Sequence, residues 1–278
     1  MNICTFSKIN SLQTHQSNWK SSVSEIYDQY HFRREWTEEV YNECVKAEIE
    51  FSTSPYDYSA VDEVDRFVNF FKIGSGDISW IDFITYVSKK NKPVLLATGA
   101  AGNEDVKRAI SSTNQEKLVL MQCNTNYTAE FKNNSYLNLK VLNTYRKKFG
   151  KIAILGLSDH TFGHNSVLGA VALGARVVEK HFTDDNNRPG PDHKFSMNPV
   201  TWKEMINQTR ILEKSMGDGQ KKIEDNEQES SIIQRRSIRA SENLKKGTVI
   251  KKKHLRYLRP CPKNGLNPYE DYKIIGKK

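Results

Sequence analysis

Six short, continuous apolar runs punctuate this chain: Ile49–Ser54, Phe70–Gly74, Pro93–Ala97, Leu118–Gln122, Ile152–Gly156 and Ala175–Glu179. Their length and lack of alternation fit strands covered on both faces, as in a parallel sheet. Between them lie segments of helical length and pattern, Asp57–Val68, Ile81–Lys90, Asn103–Ser111, Ser135–Lys148 and Ser166–Gly174, and Val200–Leu212 follows the last run. Ser17–Tyr30 and Thr37–Ala47, ahead of the first run, also read as helix. Strand and helix alternate with a period of roughly 25 residues, which suits a (β/α)8 barrel of about 250 residues. Nearly every run ends in polar side chains: Ser52-Thr-Ser54, Lys72-Ile-Gly-Ser-Gly-Asp77, Ala97-Thr-Gly99, Cys123-Asn-Thr-Asn-Tyr127, Ser158-Asp-His160 and Glu179-Lys-His181. A doubly wound open sheet gathers such residues mainly at one switch point. Polar ends on all the runs favour a barrel. Residues 1–47 offer no strand, so the expected fold is an α/β, TIM-type (β/α)8 barrel lacking its first one or two strands.

Past Leu212 the chain turns acidic and polar, and Gly217–Ser231 reads as a linker. Arg235–Ala240 resembles a strand, Leu244–Ile250 a turn entering another strand, and Arg259–Gly265 a Pro/Gly loop. The expected organisation is a barrel over 1–217, a linker over 218–234, and a small β-rich module over 235–278 that ends before its last strands.

Composition narrows the class. With 278 residues, 37% of them hydrophobic, the chain supports one large core and a small appended module. Its four cysteines are scattered with no CxxC pair, which argues against a disulfide framework or zinc–thiolate site and favours a reducing cytosol. Met1–Lys8 lacks an apolar leader core and no run approaches membrane-spanning length, so a cytoplasmic protein with no membrane partner is expected. The net charge of +9 is uneven: from Arg235 onward fourteen Lys and Arg face three Asp and Glu, giving +11, and the remainder carries −2. Aromatics are few in that tail (Tyr257, Tyr269, Tyr272), which weakens a base-stacking reading. Nucleic acid is not the expected partner; a solvated face is the commonest outcome of such a composition, and the tail is equally suited to steering an anionic small substrate.

The strand–helix–strand passage from Leu155–Thr161 to Val177–Thr183 forms a right-handed parallel crossover, so His160 and His181 emerge side by side at the mouth of the sheet. Two imidazoles there make a candidate metal pair. Lys72, preceding Ile-Gly-Ser-Gly, reads as part of an anion site. Asp159 is expected to orient a neighbouring ligand through a hydrogen bond. Glu179 and Lys180 fall on opposite faces, so at most one points inward. His164 and His193 read as loop residues.

Taken in order, Phe71–Asp77, Leu155–Thr161, Glu179–Thr183, Arg188–Asp192 and Leu244–Gly247 through Leu258-Arg-Pro260 resemble the N-acetylneuraminate (sialic acid) synthase family over about residues 30–278. The resemblance implies a barrel joined to a C-terminal antifreeze-like (SAF) domain, here incomplete. It also implies condensation of phosphoenolpyruvate with an N-acetylmannosamine-type sugar, assisted by a divalent metal, usually Mn2+, with Mg2+ or Co2+ as alternatives. By the same resemblance His160 and His181 hold the metal. Ser54, Lys72, Ser75, Thr125 and Ser158 hold phosphoenolpyruvate, with Ser54 and Thr125 standing where the family often has Thr and Asn. Asp77 matches a carboxylate near the reacting carbons, Tyr127 and Asp192 match sugar contacts, and Arg259 matches an arginine that reaches a partner subunit's barrel in a homodimer. The family's first strand, with its acidic residue, and its second, with a further lysine, have no counterpart upstream of Phe51. The sugar is also open: a six-deoxy diacetamido precursor of legionaminic or pseudaminic acid, or a 6-phosphate, suits the same chemistry. A truncated, non-catalytic homologue that only binds is the alternative outside enzymology.

Overall fold

The computed structural model describes residues 23–128, 130–150, 154–190 and 192–278, and the chain divides into two units, Met1–Met216 and Gly217–Lys278. The readings placed on Met1–Lys8, on the start of the Ser17–Tyr30 helix, on Ile152 and Ala153, and on Pro191 lie outside the described residues. Among the described residues no helix is long and apolar enough to cross a membrane.

In the first unit, helices α1 (Val23–Tyr30), α2 (Thr37–Lys46) and α3 (Tyr58–Val64) precede the sheet. Then strand and helix alternate: β1 (Phe71–Ile73), α4 (Ile81–Lys89), β2 (Val94–Ala97), α5 (Asn103–Ser111), β3 (Leu118–Cys123), α6 (Val141–Lys148), β4 (Ile154–Asp159), α7 (Asn165–Ala172), β5 (Val177–Lys180) and α8 (Pro199–Ser215). The five strands pair in parallel in chain order. Alternate strand residues (Phe71, Ile73, Val94, Leu96, Leu118, Leu120, Leu155, Leu157) form one core with Val61, Phe83, Ile84, Val106, Ile110, Leu142 and Ala170. Helices α3 to α7 therefore all cover the same face of the sheet, which is barrel winding rather than double winding. The opposite face carries Lys72, Val119, Met121, Cys123, Ser158 and Glu179 by strand alternation.

One contact shows that this sheet is curled. Lys72 on β1 and Glu179 on β5 lie on the first and last strands, which at about 4.8 Å per strand would stand about 19 Å apart in a flat sheet. Their side chains nonetheless meet, Nζ to Oε2, at 2.7 Å. The inner face is concave, and the sheet is half a barrel.

The structure corrects the expected strand count. Ile49–Ser54 is extended but forms no regular strand. It meets β1 through one backbone bond, Lys72 N to Thr53 O (3.3 Å), while the Ser52 hydroxyl donates to Phe70 O (2.8 Å). A side-chain donor has taken the carbonyl that a ladder bond would use. Beyond β5 the chain makes an isolated parallel bridge, Phe182 with Met197. There Met197 N donates to His181 O (2.8 Å) and Thr183 N to Met197 O (2.9 Å). Ser135–Lys148 is not one helix either: a 3-10 stretch, Phe131–Tyr136, is separated from α6 by Asn138 in the left-handed region (φ 49°).

The second unit contains α9 (Gln228–Ile233) and the antiparallel pair β6 (Ser237–Ala240) and β7 (Leu255–Leu258), with Ser237 opposite Leu258. The stretch 218–234, expected as linker, thus ends in a helix. Cys261 N bonds Ile232 O (2.9 Å), tying that helix to the loop after β7. Leu244–Ile250 is a turn that reaches the next strand, β7, only through a 3-10 turn at Lys252–His254; Ile250 itself exchanges backbone bonds with Gly276 and Lys277 (2.8 Å each).

Candidate active site

The inner face ends, at the C-terminal edge of the sheet, in two imidazoles. His160 follows β4 directly and is buried; His181 follows β5. Their ring centres lie 5.1 Å apart. His160 Nδ1 is 3.0 Å from the Asn124 carbonyl. A carbonyl can only accept, so Nδ1 carries the proton and Nε2 keeps its lone pair. Asp192, at φ 68°, places Oδ2 3.6 Å from His181 Nδ1. Tyr127 packs on both rings, 4.3 Å from His160 and 5.7 Å from His181. Buried Phe195 stands 5.0 Å from His181 and 6.4 Å from His160. Burial, with His160 adding to it, pushes His181 down to about 4, so the ring is neutral at pH 7. Burial also pulls on His160, but the Cys123 thiol (3.9 Å) and the Asn124 carbonyl outweigh it and hold this ring above its ordinary value.

This donor set fits one divalent ion. Two imidazoles bound through nitrogens about 2.1 Å from a shared metal place their ring centres roughly 4.5–5.5 Å apart. Among the described residues no group of three or more His, Cys, Asp and Glu could close around an ion. The fit is to an open site with protein ligands on one side, not to a structural zinc site.

Beside the imidazoles lies a polar cradle. The 3-10 turn Ser75–Asp77 follows β1, and Gly99 N donates to Ser75 Oγ (2.9 Å). A Cβ on Gly99 would sit 1.9 Å from Thr125 Oγ1, 2.8 Å from Ser75 Oγ and 3.0 Å from Cys123 Sγ. Only a glycine lets these three side chains, from the ends of β1 and β3, converge around the end of β2. Ser158 is buried on β4, in register with Cys123 and with Glu179. Lys72 Nζ reaches across the concave face to Glu179. Asp77 is half-buried, and burial pushes its carboxyl above the usual carboxylate range.

Of the residues expected at the site, His160, His181, Tyr127 and Asp192 come together. Ser75 and Thr125 converge at the cradle, while Lys72 and Ser158 lie on the same inner face. Ser54 sits in the extended segment before α3, and no described contact joins it to the others. Arg259 belongs to the second unit, where its Nε donates to Gln234 O (2.7 Å). Asp159 differs from expectation: it orients no imidazole. It accepts from Thr161 N (2.9 Å), Thr161 Oγ1, Ser166 Oγ and Lys180 Nζ (2.8 Å) in a fully buried network on the helix-covered side. His193 bonds Thr183 Oγ1 (2.8 Å). The local sequence assigns no role at the site to Phe195, Cys123 or Gly99. Phe195 lies on no apolar run, Cys123 is one thiol among four, and Gly99 is one of fifteen glycines.

Parallel strands in chain order, helices on one face and ionisable residues gathered at the strand C-termini define a barrel-type α/β enzyme. The chain belongs to the NeuB family, whose profile matches residues 3–221. It is 36% identical over 238 residues to the N,N'-diacetyllegionaminic acid synthase of Campylobacter jejuni, covering 84% of this chain and 69% of that protein. It is 30% identical to the same organism's pseudaminic acid synthase, covering 93% of this chain and 74% of that one. A similar solved structure is the N-acetylneuraminic acid (sialic acid) synthetase of Leptospira borgpetersenii in complex with citrate. The match has a TM-score of 0.69 at 25% identity and covers 78% of this chain and 76% of that one.

Proposed function

We propose that this protein condenses phosphoenolpyruvate with an N-acyl amino sugar to give a nine-carbon sialic-acid-type product and phosphate. The observation that carries the reading is the convergence of His160 and His181, 5.1 Å apart, on the concave edge that also bears Lys72. His160 and His181 would hold a divalent metal, Mn2+ first, with Mg2+ or Co2+ as alternatives. Bound there, the metal would supply Lewis acidity toward the sugar aldehyde. The protein's own groups do the rest. Lys72, Ser75, Thr125, Ser158 and the Gly99 turn cradle phosphate and carboxylate. Asp77, a weakened acid through burial, is suited to take a proton from the water that adds to C2 before phosphate departs. Tyr127 and Phe195 wall the reacting carbons from bulk water, and Asp192 accepts from sugar hydroxyls. Ser54 is retained as a further phosphoenolpyruvate contact on family resemblance alone.

N-acetylmannosamine is the leading sugar. The identity to legionaminic and pseudaminic acid synthases supports a six-deoxy diacetamido sugar as the second reading. Phosphate release measured with Mn2+ and each candidate sugar tests both; silence with every sugar counts against the condensation. His160→Ala should abolish the Mn2+ binding heat in calorimetry, and an unchanged affinity would remove the metal assignment. The family resemblance further supports a cytoplasmic homodimer in which the small unit acts as an SAF-type cap bearing Arg259. Sedimentation as a monomer at micromolar concentration would reject the dimer.

A further inference from the structure

We propose that Glu179 is the resident counter-ion of Lys72 and yields its place to the anionic substrate, so that this carboxylate sets how tightly the site holds phosphoenolpyruvate and releases phosphate. The inference rests on the reading of Lys72 as a phosphoenolpyruvate ligand and goes beyond it. Lys72 and Glu179 meet across the curled face at 2.7 Å. The pairing is one of charge rather than of a directed bond: Glu179 Oε2 is a buried atom that accepts no hydrogen bond. The two ends of the pair differ in depth. The Lys72 side chain is 12% exposed and that of Glu179 is 43% exposed. An anion arriving from solvent can therefore displace the outer partner while the lysine stays in place. Ser158, in register with Glu179 on the neighbouring strand, supplies a hydroxyl on the same face. A phosphoryl group brings two charges and three acceptor oxygens, and it bonds an ammonium more strongly than one carboxylate without a directed bond does. When phosphate is the product, return of Glu179 to Lys72 opposes its retention.

The test uses the full chain and its isosteric Glu179→Gln variant, with Glu179→Ala as a second variant and thermal unfolding to show that both fold. Phosphoenolpyruvate and inorganic phosphate are the calorimetric probes, without added metal. Freed of its rival, Lys72 should bind both about fivefold more tightly, the scale of a partly exposed ion pair. The KM for phosphoenolpyruvate should fall and product inhibition by phosphate should strengthen. In a Lys72→Met background the same substitution should give no gain. A carboxylate with a merely structural role would weaken both ligands when removed, and that result, or no change, overturns the exchange. If Lys72→Met alone weakens binding but Glu179→Gln does not tighten it, only the exchange fails. If Lys72→Met binds as the unaltered chain does, the reading of Lys72 falls and the exchange falls with it.

Discussion

Asp159 and His160 are neighbours with opposite fates, because alternation along β4 sends one side chain to the helix-covered side and the other to the concave face. Asp159 meets Lys180 with both side chains essentially out of solvent (0% and 1% exposed). Removing one partner of such a pair strands the other's charge. Asp159→Asn is expected to cost about 3–5 kcal/mol of folding stability, read as a lowered urea midpoint. Asp192 is half-exposed, so Asp192→Asn should leave folding stability within about 0.5 kcal/mol and instead raise the KM for the sugar. Equal destabilisation by the two would refute the distinction. The motif Ser-Asp-His shows in the sequence that polar groups end this strand. It does not show that the carboxylate serves the fold and the imidazole the chemistry, since that depends on which face the neighbouring strand's Lys180 occupies.

Elements were legible where local chemistry and burial agree. Asn103–Ser111 is a helix in both readings, with its apolar positions Val106, Ala109 and Ile110 all buried. At α8, Asn198 accepts from Thr201 N (3.0 Å) and Pro199 opens the helix. Asn198→Ala should lower stability by about 1 kcal/mol, checked by thermal unfolding. Ile49–Ser54 differs from expectation because a strand is made by its partner's ladder, and apolar content alone does not supply one. The Gly99 turn was invisible for a related reason, since its value lies in what approaches it from other strands. Gly99→Ala should displace Ser75 and Thr125 and weaken phosphoenolpyruvate binding by at least about tenfold, against a stability loss of only about 1–3 kcal/mol. Binding unchanged in calorimetry would mean the cradle does not form there.

At the scale of the molecule, curling the sheet sets the half-buried His181 among aromatic rings and gives the fold a pH dependence. In the unfolded chain this ring takes a proton as pH falls through its ordinary value near 6.5, but in the folded protein not until about 4. The unfolded state therefore binds more protons in that window, and the stability that neutral His181 contributes, complete above about pH 6.5, is lost as pH falls to about 4. Urea unfolding across this range, with His181→Gln as reference, should show the advantage of the unaltered chain shrinking with acid; a constant difference would contradict it. The sequence by itself determined the alternation of strand and helix, the polar strand ends and the identity of both imidazoles, because hydrophobic periodicity and turn chemistry are local properties. Only the tertiary structure decided that Lys72 meets Glu179, that Phe195 closes over His181 and that Gly99 admits three side chains. Each of those depends on the curvature of the sheet, which brings together residues between 14 and 107 positions apart and leaves no trace in any one segment.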